Sequence, residues 1–517
     1  MKLNYKRTIF VGFAFFLICT FWQAYDNIIP KILVDKFGMN QTWSGLIMAM
    51  DNIFALFMLP LFGAISDKCH FKRGRRTPFI FVGTILAVVA FVSLSFVDAA
   101  QLKRISEVSA IDDPVALTVL YETEGDKTLQ TTEGEDFVLR EKFTLEEFTS
   151  ISSQIENENG ELATNPDYTN YVTPARQAYA WEMTQESPGT LILFMCVLLL
   201  ALLSMSTFRS PAVALMPDVT IKPLRSKANA VINLMGTFGG IIVLGLGMVF
   251  GTGSVANSLM SYVSFFCVIA GIMLIALCLF MLLVKEPLWV KEMEQESIKH
   301  HIDEGESGEI ETTHKLSKGE LASLLLILAS VVLWFMGYNA VTSKYSVYAG
   351  KVLSLDYNST LMIANVAAII SYLPVGFIAS KIGRKKSILS GVVMLAASFF
   401  VASFLREGSS PMLMNCMFAL AGIGWATINV NSFPMVVELS RGGNVGKYTG
   451  FYYTASMAAQ VATPIISGMF MDNLGMTTLF PYATILVAGA FVTMLFVKHG
   501  DSKPPKKNKL ESFDVDN

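Results

Sequence analysis

Charge is what this chain has least of. Of its 517 residues only 16% are charged, against 53% hydrophobic, and mean hydropathy is +0.49. A soluble domain carries about a quarter charged residues, so the shortage argues for residence in a membrane and against a nucleic-acid partner. Cysteine is nearly as scarce. Cys19, Cys196, Cys267, Cys278 and Cys416 fall in apolar runs and Cys69 in a basic loop. None has metal-ligand spacing, so they read as small packing residues, with no metal site. The five histidines, His70, His300, His301, His314 and His499, all sit in loops or the tail. No nucleophile–base spacing accompanies them, which makes a membrane enzyme the least supported class. A Gly-x-x-x-x-Gly-Lys-Ser/Thr loop is also missing, which argues against direct ATP drive and leaves no cofactor to invoke.

Apolar runs of roughly 20 residues, each long enough to cross a bilayer as a helix, recur along the chain. The first is too long for a cleaved signal and is followed by more spans. The pattern predicts twelve helices, at 8–34, 43–65, 78–98, 188–213, 226–250, 260–284, 320–348, 357–380, 386–405, 411–436, 446–471 and 476–498. Residues 1–98 and 188–284 form a first bundle, 320–498 a second, 285–319 a polar cytoplasmic linker and 499–517 a cytoplasmic tail. The stretch Leu288–Met293 reads as a short helix at the membrane surface. The reading is an all-α membrane protein, with twelve transmembrane helices in two six-helix pseudo-repeats and a small extracytoplasmic insert.

That insert, 99–187, carries 18 acidic and 6 basic residues, a net −12, whereas Lys68–Arg76 holds five cations and no acid. Positive loops stay in the cytoplasm. Both termini are therefore expected inside the cell membrane, plasma or inner, with the insert outside. Within it, Ala116–Tyr121 and Phe137–Arg140 read as strands. Thr144–Ile151 reads as a helix with a Thr cap and Glu147 three residues on.

The duplication can be checked by offset. Gly63-Ala-Ile-Ser-Asp67-Lys68 returns 313 residues later as Gly376-Phe-Ile-Ala-Ser380-Lys381. The same offset pairs Tyr25 with Tyr338, Asp26 with Asn339, Lys31 with Lys344 and Asn52 with Asn365. Further along, Asp218 and Lys227 pair with Glu438 and Lys447 at an offset of 220. The offsets differ by 93, close to the insert's 89 residues plus the longer first basic loop. Two parallel repeats place a substrate site near the midplane, between halves that rock against each other.

These motifs resemble the major facilitator superfamily. Gly63-x-x-x-Asp67-Lys68 with Gly74-Arg75-Arg76 is similar to its loop 2–3 motif, and 376–386 to the loop 8–9 version. Gly74–Ile80, Trp22–Pro30, Trp334–Ala340, Arg209-Ser-Pro211 and Leu215–Asp218 resemble its sucrose-transporter-like and glycoside–pentoside–hexuronide branch. The resemblance covers the helices, not the insert or tail. Ser380 departs from it, standing where the repeat often has Asp. It implies the superfamily fold, a monomer, and gating by Gly63, Asp67, Arg75, Arg76 and Asp218. Gly376, Arg384 and Glu438 would be the second-half counterparts. A carboxylate and a guanidinium meeting across the cytoplasmic mouth would hold it shut, since Arg forms rigid bidentate pairs with carboxylates. The alternative is a set of topology-fixing cations without partners.

Asp26 and Asp51 lie inside helices one and two. A carboxylate within a spanning helix costs on the order of 2.5–3.5 kcal/mol on insertion scales, so it is expected to face a cavity or a partner. Desolvation disfavours a carboxylate's charged form, which suits it to proton coupling. Either residue could instead cap a polar contact near the outer surface. Arg209, within helix four, pairs with them across the cavity or snorkels to the cytoplasm. Lys31 and Lys344 read as snorkelling at the outer surface. Trp22, Gln23, Tyr25, Asn27 and Asn52, with Trp334, Tyr338, Asn339 and Asn365, offer amides for hydroxyls and flat rings for C–H faces, a lining suited to a polyol. Single asparagines also serve as interhelical hydrogen bonds. The favoured function is secondary transport of a sugar or glycoside by proton symport, with sodium left open. Export of drugs or metabolites is one alternative, and a non-transporting sensor using the insert is another.

Overall fold

A helix in lipid satisfies its own backbone, so an apolar chain of this length folds as packed spanning helices. The computed structural model describes residues 3–69, 71–156, 162–221, 224–299, 317–439 and 445–500. The first half opens with α1 (Tyr5–Lys31), extended by a π-helical turn at Ile32–Lys36, then α2 (Gln41–Lys68) and α3 (Thr77–Arg104). The insert follows, with α4 (Ser106–Ser109), α5 (Pro114–Glu124), α6 (Leu139–Lys142), α7 (Leu145–Thr149) and α8 (Thr173–Glu186). It also holds two antiparallel hairpins, β1 (Thr128–Gln130) with β2 (Asp136–Val138) and β3 (Gln154–Glu156) with β4 (Leu162–Thr164). The half is completed by α9 (Gly189–Asp218), α10 (Arg225–Phe250) and α11 (Val263–Leu283), and α12 (Glu286–Lys299) follows it. The second half comprises α13 (Lys318–Tyr348), α14 (Tyr357–Ile382), α15 (Arg384–Ala402), α16 (Pro411–Glu438), α17 (Val445–Leu474) and α18 (Leu479–Leu495).

Twelve helices among the described residues are thus long, from 17 residues in α18 to 31 in α13. Ten are long and apolar enough to cross a membrane; α14 and α17 are the other two. Those two carry Asn358, Asn365 and Ser371, and Gln460, Thr463 and Asp472, and both pack across to the other half.

Packing repeats between the halves. In the first, α1 packs on α10 and α11, and α3 on α9 and α11; in the second, α13 packs on α17 and α18, and α15 on α16 and α18. Each half has its own apolar core, one centred on Phe21, Phe91 and Phe266, the other on Trp334, Tyr345 and Phe480. The halves meet through α2 against α17, α10 against α14 and α1 against α13.

The insert corrects part of the sequence reading. Residues 116–121, expected as a strand, lie in α5, which Asp113 caps by accepting from Val115 N. Pro114 opens the helix, where its missing N–H costs nothing. Ala116, Leu117, Leu120 and Glu124 form its buried face, a helical spacing that also passes for a short strand. The second expected strand ends at Val138, and Leu139 begins α6. The Thr144–Glu147 capping box starts α7. The insert has its own core of Leu117, Leu120, Leu139, Phe148, Tyr168 and Val172.

Candidate functional site

The π-turn and the starts of α2 and α9 define one end of the bundle, the insert end; Lys68–Arg76 defines the other. Asp26 lies ten residues below Lys36 on α1, about 15 Å at helical rise. There it faces Asp51 of α2 and Arg209 of α9 within Coulombic reach, and Asp51 faces Arg209 as well. Asn52 Nδ2 donates to Asp51 Oδ1 at 2.8 Å. The Arg209 guanidinium sits 5.5 Å from the centre of the Trp22 ring. One cation thus lies within Coulombic reach of two carboxylates, the three groups coming from three helices of the same half. All three side chains are half-buried.

Trp22 crosses Tyr25 edge-on at 5.2 Å. Tyr25 is fully buried, with a hydroxyl that has no partner, and the indole N–H of Trp22 has none either. Gln23 is half-buried, against Gly240 of α10. In the second half Tyr338 stacks on Trp425 of α16, ring centres 3.7 Å apart and 2° from parallel, with Phe335 edge-on to Trp425 at 5.1 Å. Trp334 is buried with its N–H unpartnered. Two amides are committed within their own helices: Asn27 Nδ2 donates to Gln23 O at 2.9 Å and Asn339 Nδ2 to Phe335 O at 2.7 Å. Asn365 is half-buried on α14.

At the basic-loop end, Arg75 grips Asp218 with two bonds, Nη2–Oδ1 at 2.7 Å and Nε–Oδ2 at 3.2 Å. Arg76 Nε donates to Asp218 Oδ2 at 2.8 Å, while its other nitrogens reach Asp67 and Ser66. The network ties α2, α3 and α9 together inside one half. The expected meeting across the mouth is not its geometry. Glu286 supports it by accepting from Arg76 N, Thr77 N and Thr77 Oγ1, capping α3. Gly74 has φ of +108°, and a Cβ there would lie 2.2 Å from Glu286 Cδ, so only glycine fits. Gly63 lets α2 approach Ser210 of α9, where a Cβ would stand 2.9 Å from Oγ. In the second half Arg384 opens α15. Gly376 and Glu438 sit in α14 and α16, and their side-chain positions lie outside the described residues.

The halves are joined at the insert end. A Cβ on Gly45 would lie 2.0 Å from Pro464 O, and one on Gly468 2.4 Å from Gln41 O. Asp472 of α17 accepts from Gln41 N at 2.8 Å, Thr42 N at 2.7 Å and the Thr42 hydroxyl. Asn40 accepts from Trp43 N, so the free N–H groups of the first turn of α2 are capped from both halves. Lys344, expected to snorkel, is instead buried and donates to Gln41 O at 2.5 Å. Its repeat mate Lys31 is also buried and donates to Thr252 O at 2.7 Å. Thr252 in turn meets Tyr357 at 2.8 Å and Asn358 at 3.0 Å in the other half. Thr252 and Asp472 are 220 apart, the second repeat offset. Burial sends each lysine to a carbonyl, because an ammonium held in a packed helix end must be hydrogen-bonded.

Away from that end the same helices expose apolar side chains: Leu56, Phe57 and Leu61 on α2, Leu234 and Phe238 on α10, Ile370 and Ile378 on α14 and Phe451 on α17. They do so at the insert end as well, with Trp43 and Leu46 on α2, Val249 on α10 and Leu474 on α17. Trp425, Glu286, Asp472 and Thr252 did not emerge from the sequence. For the last two, the 220-residue offset was an available signal.

A model of the Major Facilitator Superfamily matches residues 178–455 and 358–515, and one described as MFS/sugar transport protein matches 11–101. Among curated proteins, an uncharacterized protein YqgE of Bacillus subtilis is 29% identical over 35% of this chain and 43% of its own length. An uncharacterized MFS-type transporter YttB of the same organism is 24% identical over 38% and 50%. The chain thus spans half or less of the length of these relatives. Solved structures match end to end: a D-xylose-proton symporter with TM-score 0.59 at 12% identity, covering 96% of this chain and 99% of that one. The inward-open xylose transporter XylE of E. coli matches with 0.57 at 15%, covering 96% and 97%. With a Major Facilitator Superfamily model matching more than half of its residues and two six-helix halves, the chain belongs to the major facilitator superfamily of multi-pass membrane transporters.

Proposed function

We propose that the protein is a secondary active transporter of a sugar or glycoside, driven by proton symport through alternating access. The observation that carries this is the Asp26–Asp51–Arg209 cluster, two carboxylates and one guanidinium gathered from three spanning helices of one half. Two carboxylates sharing one guanidinium leave one negative charge in excess, and a proton on either carboxylate removes it. Charge neutralisation then makes reorientation of the halves depend on the proton, because an uncompensated charge resists transfer into a closed, dry chamber. Trp22 and the Tyr338–Trp425 slab offer apolar faces from opposite halves, and Gln23, Asn52 and Asn365 offer amides. That mixture suits a ring bearing hydroxyls. The sugar-transport family match over helices one to three and the likeness to a xylose–proton symporter support the substrate class.

Loop charge assigns the basic-loop face to the cytoplasm and the insert to the exterior of the cell membrane. We read the close contacts between the halves at the insert end as a closed outer gate, and Asp67, Arg75, Arg76 and Asp218 as a brace for the inner ends of three helices. The deciding assay is uptake into proteoliposomes over a panel of mono- and disaccharides, with and without an inward proton gradient. Gradient-driven accumulation of one of them is expected, and Asp26→Asn should abolish accumulation while leaving exchange. Accumulation by that variant with unchanged pH dependence would refute the coupling assignment. Absence of saccharide uptake under both conditions would refute the substrate class.

A further inference from the structure

The insert leaves α3 and returns to α9, so covalently it belongs to the first half. Its packing agrees. Gly38, with φ of +71°, lies so close to α8 that a Cβ would stand 2.3 Å from Trp181 N. Gln101 donates to Lys36 O at 3.0 Å, Thr184 to Phe37 O at 3.0 Å and Gln177 to Met39 O at 3.0 Å. Leu259, from the turn before α11, completes the insert's apolar core. The insert is therefore a rigid arm on the first half.

Its contacts with the second half are of another kind. The turn between β1 and β2 lies on the turn between α17 and α18, where Met476 N donates to Thr132 O at 2.8 Å. Gly134 and Gly475 face each other there, both at positive φ, and a Cβ on Gly475 would lie 2.4 Å from Glu133 O. Lys351, in the π-helical turn Ala349–Leu353 that follows α13, donates to Gln177 of α8 at 3.0 Å and stands 3.8 Å from Asp35 in the π-turn of α1. Arg406 lies 3.8 Å from Glu133. A cleft of about 400 Å³ separates the two surfaces elsewhere, lined by Lys351, Arg406 and Glu407 together with Ile155, Pro166 and Val352. Among the described residues, none of the second half enters the insert's apolar core. A contact carried by single hydrogen bonds and long ion pairs around a cleft can part more readily than the tightly packed seat on the first half.

We propose that the insert is a reversible clasp. It holds the halves together at the insert end, favours the state open to the basic loops, and must release the α17–α18 turn before the insert end can open. This rests on the alternating-access reading, but its test reads conformation rather than flux. Spin labels at Ile65→Cys and Ile378→Cys, in a background lacking the six native cysteines, report the width of the basic-loop mouth in nanodiscs. Two clasp variants are compared with the parent. One replaces residues 131–135 by Asn-Gly, closing the hairpin on the Gln130–Asp136 pair with the two-residue turn that hairpins favour. The other is Met476→Pro, which deletes one donor at the first position of a short helical turn, where proline is tolerated; Gly475, with ψ of 159°, already has the extended ψ that a following proline imposes. Loss of one hydrogen bond should raise the ratio of narrow to wide mouth about fivefold for Met476→Pro, and loss of the whole turn should raise it further. Ratios within twofold of the parent in both variants would overturn the clasp. Failure of saccharide uptake in the parent would count against the transport reading and leave the distance result standing.

Discussion

Asp472→Ala should loosen closure at the insert end more than any other single truncation there. In the closed state its carboxylate takes two backbone N–H groups and one hydroxyl from the first turn of α2, across the boundary between the halves. Removing a helix cap costs about 0.5–2 kcal/mol, and the negative charge at the helix N-terminus adds about 0.3–1 kcal/mol. When the halves part, water replaces the carboxylate, so the loss falls on the closed state alone. A net of about 2 kcal/mol corresponds to roughly thirtyfold in the open-to-closed ratio. Ser44 is a suitable reporter. It is fully buried on the second turn of α2 and its hydroxyl has no partner, so Ser44→Cys removes no hydrogen bond. Alkylation of that cysteine by a membrane-impermeant maleimide, in a background without native cysteines, tracks the open fraction. Asp472→Ala should raise the rate about thirtyfold, and Asp472→Asn, which keeps one acceptor, by less. A change below threefold for Asp472→Ala would refute the argument that this carboxylate holds the insert end closed.

Other outcomes follow from the same geometry. Lys36 and Asp98 form a fully buried pair at 2.7 Å, with Lys36 also donating to Met260 O. Lys36→Met should lower stability by about 3–5 kcal/mol, and adding Asp98→Leu should restore most of it, as thermal unfolding in detergent would show. Asp218→Asn strips two arginines of their shared partner and should cost on the order of 2 kcal/mol. Asp67→Asn, at a side chain 56% exposed, should cost under about 1 kcal/mol and leave the protein folded while slowing transport. Gly45→Ala places a methyl 2.0 Å from Pro464 O, so the Ser44→Cys reporter should become reactive in that background.

Much of the architecture is legible in the sequence. Apolar runs long enough to span a bilayer, a five-cation turn and a repeat at fixed offsets leave few folds open, because each is a local property of the chain. The short elements of the insert were less legible. Residues 116–121 satisfy strand and helix spacing equally, and Asp113-Pro114 decides for the helix by supplying its cap and first turn.

The site divided the same way. Composition and position alone marked Asp26, Asp51 and Arg209 as charges in spanning helices, and the repeat marked Tyr25 with Tyr338. Contact between residues far apart in the chain was beyond that reading. Asp218 meets two arginines of its own half, Lys31 and Lys344 turn inward to carbonyls, and Asp472 caps a helix 430 residues away. Those pairings depend on how closely helix ends approach, which glycines such as Gly45 and Gly468 permit only once both partners are in place. Hydrophobicity and charge, summed along the chain, determined which segments cross the membrane. Which polar groups meet was decided by tertiary packing, since a buried donor takes the acceptor that the assembled bundle brings to it.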